Sequence, residues 1–398
     1  MMRSWTKAAW AAAAAISIVG CGSGDGKSTN PTLEMPANSA DAIRTYGRLV
    51  RAGYEDSLQR AKELDAAIGH LVETPTAETM ESAREAWRAA RAPYSQTEAF
   101  RFYDGPIDDP ENDLEANINA WPIDEQYIDY VEGRPDVGII NDRSLTLDAE
   151  TLVSLNEKDG QPHDIATGFH PIEFLLWGQS LGKPHGERPH TDYVFGEDGT
   201  ADNQDRRGLY LRLAGGLLVD HLQEVTDAWA PEAGNFRNEL ESLDPREALK
   251  QILTGLIKMT GAELAGDRLQ TALDSGAQKD EQSCFSDNTQ QDVFLDAVGI
   301  ENVFLGRYVR LDGSRVEGVG VYDVVAAVDP ELADRTRDAI AATVSAMAAI
   351  DPSFDRAIQP GNDEGNAQVQ AAIHALRAQE KRLFEIFKRF GMTVTIGD

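Results

Sequence analysis

Cysteine is scarce in this chain, which contains only two among its 398 residues, Cys21 and Cys284. Cys21 lies in an N-terminal segment that we expect to be processed and acylated, so Cys284 would have no partner for an internal disulfide. Packing alone would then hold the fold together, even in an oxidising compartment. Cys284 has no His or Lys close by in sequence to activate its thiol, and we expect it to be a packing residue.

Positive charge is also scarce in the chain. There are 37 Lys and Arg residues against 67 Asp and Glu residues, which gives a net charge of -30. Such a surface repels phosphate backbones and anionic lipid headgroups, so we expect no nucleic-acid binding. Cations and cationic ligands would be attracted, although the charge could also serve only to keep the protein soluble.

Three local motifs of well-known enzyme classes are missing from the chain. There is no His-Glu-x-x-His motif, and Phe174 follows Glu173 where the inverted form needs a second His. Ser286 lacks the Gly-x-Ser-x-Gly context of a nucleophilic serine, and no glycine-rich phosphate loop occurs. A peptidase would therefore have to draw a third metal ligand and a general base from distant parts of the chain.

The N-terminal segment has the pattern of a secretory signal. Two basic residues precede an apolar stretch at 8–19, which is too short to span a membrane. The stretch ends in Ile-Val-Gly-Cys, which resembles a bacterial lipobox. We expect a signal peptide at 1–20, acylation of Cys21 and a flexible tether at 21–38. The protein would then be anchored by lipid and face the periplasm, and we expect it on the outer membrane rather than on the inner. The alternative is an ordinary cleaved signal with a chance cysteine.

Helical periodicity dominates the rest of the chain. Apolar residues recur at three- and four-residue steps, and strand-like alternation is scarce apart from 393–396. Poor periodicity at 104–161 predicts a long irregular insertion, and a break at 230–234 contains Pro and Gly. We predict an all-α chain of two helical bundles in series, at 39–233 and 234–398, with the insertion in the first.

The most informative motif is Gly168-x-His170-x-x-Glu173, just ahead of a strongly apolar segment. Positions three apart on a helix share a face, so the imidazole and the carboxylate could bind one cation or support acid–base chemistry. A structural alternative exists as well. With Pro171 at the first helical position, His170 would be the N-cap and Glu173 the carboxylate of a capping box.

The pattern Gly-x-His-x-x-Glu resembles the signature of the imelysin-like family. Further blocks similar to that family occur in family order over nearly all of the chain after the tether, at 87–101, 119–125, 187–193, 261–268 and 283–289. The resemblance implies two α-helical bundles with a pocket where they meet. It also implies an envelope protein linked to iron acquisition, of the kind called an iron-regulated lipoprotein, and some members carry the label of insulin-cleaving metallopeptidase.

The resemblance also implies a set of site residues. His170 and Glu173 would be metal ligands, and Glu98 and Asp108, or Asp104 in place of Asp108, would by position complete the shell. Alternatively, Glu98 is an exposed helical carboxylate and Asp108 a turn residue. Polar and aromatic residues of the family blocks would line the pocket or else pack between the bundles: Tyr94, Arg101, Trp121, Arg188, Asp287 and Asn288.

The sequence therefore predicts an envelope lipoprotein that binds iron, or alternatively zinc, or a small iron-bearing ligand, and that acts in iron acquisition with an outer-membrane or periplasmic uptake partner. Catalysis is not required by this prediction. One alternative is a zinc metallopeptidase that uses the same pair of residues. The other is a protein without a metal, whose pocket binds a ligand or a protein partner.

Overall fold

Long amphipathic helices make up most of this computed structural model, in which residues 34–231 and 234–392 are described. The expected signal peptide, the lipidation residue Cys21 and the strand-like segment at 393–396 lie outside the described residues. The all-α prediction is confirmed. None of the described helices combines the length and the apolar character that a membrane crossing needs.

Two long helices, α1 (Ser39–Glu73) and α2 (Ala77–Thr97), pack against each other at the start of the described chain. The apolar stripe of α1 is buried, and Tyr54 within it is fully buried, because its three- and four-residue spacing matches the helical period. α2 begins at Thr76, whose side chain accepts a hydrogen bond from the backbone of Thr79 in a capping box.

The remaining helices before residue 231 are mostly short and carry the irregular insertion. Between α2 and residue 168 only three short α-helices form, so the expected irregular region is confirmed. The α-helices of this part are α3 (Leu114–Ile118), α4 (Glu125–Ile128), α5 (Ala149–Ser154), α6 (Phe169–Trp177) and α7 (Gln204–Ala228). Short 3-10 turns occupy Glu98–Phe100, Lys158–Gly160 and His190–Tyr193.

The helices after residue 234 include one π-helical segment, Met259–Gln270. This segment follows directly on the α-helix that ends at Lys258 and continues directly into the α-helix that begins at Thr271. The α-helices of this part are α8 (Phe236–Ser242), α9 (Pro245–Lys258), α10 (Thr271–Ser275), α11 (Thr289–Leu305), α12 (Val321–Ala326), α13 (Pro330–Ala348), α14 (Phe354–Ile358) and α15 (Asp363–Arg389). A 3-10 turn occupies Gln278–Asp280.

A small hairpin follows α11. Strands β1 (Arg307–Val309) and β2 (Arg315–Glu317) pair antiparallel, with Tyr308 opposite Val316. The hairpin packs on α1. The sequence did not predict it, because three residues are too few to show the two-residue alternation of a strand.

Helices from both sides of the expected boundary at 233 contact each other. α2 packs against both α1 and α11, and α1 packs against α7 and α9. α6 lies between α2 and α7, and all nine of its residues are buried. The fold therefore places the His170 motif inside the protein rather than on an exposed helix face. The division into two bundles stays a prediction.

Candidate functional site

α6 begins two residues earlier than the sequence suggested, at Phe169 rather than at Pro171. Gly168 is its N-cap with φ of 93°, and a Cβ atom there would stand 2.5 Å from the carbonyl oxygen of Ile118, so only glycine fits. Pro171 lies within the first turn, where its missing N–H has no intrahelical partner to lose. The N-cap prediction for His170 and the capping-box prediction for Glu173 are therefore wrong, and both side chains lie within the helix.

His170 and Glu173 contact each other directly. Nδ1 of His170 lies 2.9 Å from Oε2 of Glu173, and both side chains are buried. The other carboxylate oxygen, Oε1, accepts hydrogen bonds from the backbone N–H of Ser286 at 2.9 Å and from its hydroxyl at 2.7 Å. Glu173 thus has a partner on each oxygen, and it fixes the orientation of the imidazole ring.

Burial shifts the pKa of both members of this pair. It lowers the pKa of His170 to about 3, with a further contribution from the positive charge of Arg91. It raises the pKa of Glu173 to about 8. Near pH 7 both groups are then neutral. Because Oε1 of Glu173 accepts from Ser286, the carboxyl proton belongs on Oε2 and is donated to Nδ1, which leaves the imidazole proton on Nε2.

Nε2 of His170 is buried, and no described residue offers it a hydrogen-bond partner. His170 lines a cavity of about 30 Å³ together with Trp121, Glu281 and Cys284, enough room for about one water molecule or ion. Most buried polar atoms in proteins have a partner. An orphaned ring nitrogen beside a small cavity that also contains a carboxylate is therefore a candidate binding atom.

Glu281 is the second unusual group of this cavity. It is buried, and neither of its carboxylate oxygens has a hydrogen-bond partner of good geometry among the described residues. Burial, followed by the negative charge of Asp287, raises its pKa well above the usual value, although Thr289 is near enough to oppose the shift. A cation in the cavity would satisfy this carboxylate, because an isolated buried charge is costly.

The donor set suits a cation only in part. Among the described residues, no group of three or more His, Cys, Asp or Glu side chains is arranged to hold a metal ion. Glu173 has hydrogen-bond partners on both oxygens, and Glu125, which also lines the cavity, accepts from Gln179. Nε2 of His170 and the two carboxylate oxygens of Glu281 remain without a partner among the described residues. They fit a cation whose remaining ligands are waters or ligand atoms, and they do not fit a structural zinc site with four protein ligands.

The two acidic residues expected to complete the shell lie in a network of arginines instead. Glu98 is buried and accepts hydrogen bonds from Arg268, from Arg101 at 3.1 Å and from Asn119 at 3.2 Å. Burial opposes its ionisation, but the arginines prevail and lower the pKa of Glu98 to about 2. The alternative that Glu98 is exposed is wrong.

Asp108 belongs to the same network. It accepts a hydrogen bond from Nε of Arg101 at 3.2 Å and another from the backbone N–H of Phe102, whereas Asp104 is exposed. The structure therefore does not bring Glu98, Asp108 or Asp104 together with His170 in a metal-binding group. Their role as ligands stays a prediction that this geometry does not favour.

A second set of buried ionic contacts links the two halves of the chain beside His170. Asp292 on α11 accepts from Nε of Arg91 at 3.1 Å and from the hydroxyl of Ser283 at 2.5 Å. The π-helical segment directs Arg268 into the core, where it contacts Asp296 at 2.8 Å. Arg91 and Arg268 both contribute to the low pKa of His170, and they keep positive charge close to the site.

The comparisons with known proteins agree with the architecture. A family model described as imelysin matches residues 50–383. The chain belongs to the imelysin family. It is 26% identical over 271 residues to the iron-regulated protein A of Synechococcus elongatus, a match that covers 67% of this chain and 63% of that protein. The chain thus spans less than two thirds of that relative's length.

Two solved structures share the fold of this imelysin-family protein. One is described as an iron-regulated protein A precursor from Parabacteroides distasonis, with a TM-score of 0.69, 18% identity, and coverage of 90% of this chain and 96% of the other. The second is an imelysin-like protein from Psychrobacter arcticus, with a TM-score of 0.64, 14% identity, and coverage of 92% and 100%. At these identities the likeness shows the fold alone.

The six predicted pocket residues of this imelysin-family protein are spread over several environments. Trp121 lines the cavity beside His170. Asn288 donates to Asp292 at 3.0 Å, and Tyr94 packs its ring 4.9 Å from that of Phe169. The others lie elsewhere: Arg101 in the network of Glu98, Arg188 against Asp129 and Asp192, and Asp287 in a left-handed conformation after Ser286.

Sequence reasoning missed Glu281 and the role of Ser286. Ser286 lies in the 283–289 block, which indicated the region but not its contact with Glu173. Glu281 precedes that block and has no local pattern of its own. A signal existed only in the family block next to it, because Glu281 and His170, which line the same cavity, are more than a hundred residues apart in the sequence.

Proposed function

We infer that this imelysin-family protein binds a metal ion, iron first and zinc as the alternative, in the cavity between His170 and Glu281, and that it acts in iron acquisition. The observation that carries the proposal is the buried Nε2 of His170, which has no partner among the described residues. Its family and the printed name of its Synechococcus relative support a role connected with iron.

The residues around the cavity can prepare an imidazole for coordination. A carboxylate that accepts the second ring N–H orients a ligating histidine and makes it more basic, and Glu173 is placed for this role by Ser286. When a cation binds at Nε2, the proton on that nitrogen must leave, and the pair can release it by forming a Glu173 carboxylate that accepts from Nδ1. Glu281, whose pKa is raised by burial, would release its own proton and balance the charge of the ion as a carboxylate.

The small number of protein donors favours a cation that brings other ligands with it. An iron ion in a nitrogen and oxygen environment needs more than two ligands. Waters or oxygen atoms of a small iron-bearing molecule would supply the rest, after the cavity widens beyond its present 30 Å³ or so. The metallopeptidase alternative stays a prediction, and no observation at this site favours it.

The envelope location belongs to the same proposal. An acylated Cys21 followed by a flexible tether would hold the helical domain at the periplasmic face of the outer membrane, where an uptake partner could meet it. The test is membrane fractionation of cells that express the wild type or Cys21→Ser. We expect the wild type in the membrane fraction and the variant in the soluble fraction. The same distribution for both proteins would refute the anchor.

Metal titration tests the binding itself. Fe²⁺ under anaerobic conditions, or Zn²⁺, is added to the chelator-treated wild type, to His170→Ala and to the matched control His185→Ala, whose imidazole is on an exposed loop. We expect the wild type and the control to bind with equal affinity and His170→Ala to bind at least about tenfold more weakly. Equal binding by all three proteins would remove the coordination proposal.

A further inference from the structure

Five arginines line one surface cleft of this acidic protein. The cleft has a volume of about 330 Å³ and lies where the β1–β2 hairpin meets α1 and α8. The five side chains come from three separate elements: Arg48 and Arg51 from α1, Arg237 from α8, and Arg310 and Arg315 from the hairpin and its turn. This grouping was not predicted, because the three elements that carry the arginines are distant from one another along the chain.

The local charge of the cleft opposes that of the whole molecule. The chain carries a net charge of -30, yet only two carboxylates, Glu55 and Glu317, line the cleft beside the five arginines. Two further carboxylates that do not line the cleft also pair with these arginines: Asp56 with Arg310, and Glu241 with Arg237. Four carboxylates therefore face five guanidinium groups, and the cleft keeps one positive charge in an acidic surface.

Arg48 is the guanidinium without a carboxylate. Its Nη2 donates to the hydroxyl of Thr45 at 3.2 Å and to the carbonyl oxygen of Glu317 at 3.3 Å. No carboxylate of the described residues lies within ion-pair distance of Arg48, and its Nε and Nη1 have no acceptor there. These donors are available to a ligand, and a guanidinium offers them in a planar fork that matches carboxylate and phosphate groups.

The neighbouring arginines are held in place before any ligand arrives. Arg310 donates from Nε and Nη2 to Oδ1 of Asp56 at 3.1 and 2.9 Å, and its Nη1 lies 2.9 Å from Glu55. Asp56 is buried and also accepts from the hydroxyl of Tyr308 at 3.0 Å. Fixed side chains lose little conformational entropy on binding, which favours a ligand site over a loosely solvated patch.

We propose that this arginine cleft binds a small oxyanion, a molecule that carries several carboxylate or phosphate groups, through Arg48 with Arg237 and Arg315. The volume is at the lower end of the range for small-molecule pockets. A second negative charge on the ligand would meet Arg237, whose guanidinium is bound to Glu241 only through Nε. The site is separate from the cavity of His170, and the proposal does not depend on metal binding.

Calorimetric titration at low ionic strength with two probes tests the proposal. Tricarballylate represents the carboxylate class and inorganic phosphate the phosphate class, and the tighter of the two identifies the ligand chemistry. We expect Arg48→Gln to weaken binding of the preferred anion about tenfold, since a charge-assisted bond is lost. Arg315→Gln, at the exposed hairpin, gives a second variant that does not disturb α1.

The matched control is Arg44→Gln, which removes one positive charge from α1 outside the cleft, where Arg44 pairs with Asp41 in an exposed position. It should bind like the wild type, and thermal melting of each variant verifies the fold. The proposal is overturned if neither anion binds the wild type at millimolar concentration. It is overturned equally if Arg44→Gln loses as much affinity as Arg48→Gln, or if neither cleft variant loses any.

Discussion

Two buried regions of this protein contain carboxylates in opposite states. In the network around Glu98, arginines surround the carboxylate and the pKa falls to about 2. Beside the cavity of His170, the hydrogen-bond partners of Glu173 among the described residues are the imidazole and Ser286, and burial raises its pKa to about 8. Both residues are almost completely buried, so a difference in burial does not explain the difference between their pKa values.

The difference lies in what the neighbours supply. Glu98, which accepts from the guanidinium groups of Arg268 and Arg101, stays charged and acts as a structural link, whereas Glu173, which no guanidinium of the described residues contacts, takes up a proton. The network has paired charges and leaves little for a ligand to satisfy at Glu98. In the cavity, Nε2 of His170 and the carboxylate of Glu281 have no hydrogen-bond partner among the described residues, and a cation could satisfy both. Unsatisfied groups, rather than acidic residues in general, mark the candidate site.

Removal of a cation from the network should have the largest effect on stability. Arg268→Ala leaves Glu98 and Asp296 buried without their main partner, and we expect the free energy of unfolding to fall by about 3–5 kcal/mol. Chemical denaturation measures it. The control Arg212→Ala breaks an exposed pair with Glu73 and should cost about 0–1 kcal/mol. If both variants lost a similar free energy of unfolding, the buried network would contribute no more to stability than an exposed ion pair, contrary to this prediction.

The pH dependence of stability should distinguish the cavity from the network. The pKa of Glu173 is raised in the folded state, so its contribution is fully present below its ordinary value near 4.5 and is lost as the pH rises through about 8. Between about pH 6.5 and 8, where His170 is neutral in the folded and the unfolded state alike, the metal-free wild type should therefore lose stability on the order of 2 kcal/mol. Glu173→Gln cannot ionise and should show a flatter profile. Parallel profiles for the two proteins would contradict the neutral state of Glu173.

Loss of the Ser286 hydroxyl should have an effect of intermediate size on stability and on metal affinity. Ser286→Ala removes the hydroxyl that donates to Oε1 of Glu173 at 2.7 Å but keeps the backbone donor. We expect about 1 kcal/mol of destabilisation and a loss of metal affinity of about tenfold, because the orientation of His170 depends on Glu173. Ser345→Ala, on an exposed face of α13, is the control. Unchanged affinity in Ser286→Ala would show that Glu173 needs no such support.

Substitution of Glu281 should have the smallest effect on stability, and it should lower metal affinity without lowering stability. Glu281→Gln replaces an acidic group that has no partner, so the free energy of unfolding of the metal-free protein should stay the same or rise by about 1 kcal/mol. Metal affinity should fall, because one of two donors is weakened. Calorimetry and thermal melting on the same samples report both quantities. A marked loss of stability would mean that Glu281 has a structural partner instead.

The sequence predicted the parts of the site that are local in the chain. His170 and Glu173 are three residues apart, and the helical period alone brings them together. The partners that decide their chemistry are distant in sequence: Ser286 and Glu281 approach from the second half of the chain, and Arg268 reaches Glu98 from a π-helical segment. Helices were predictable from periodicity, whereas the hairpin and the start of α6 depended on tertiary contacts such as the approach of Gly168 to Ile118.

X-ray absorption at the metal edge of Zn²⁺-loaded or Fe²⁺-loaded protein tests the central claim most directly. We expect one imidazole nitrogen in the coordination shell, at about 2.0–2.1 Å for zinc, together with oxygen donors. In His170→Ala that nitrogen should be lost. A shell without imidazole in the wild type, or an unchanged spectrum in His170→Ala, would contradict the account.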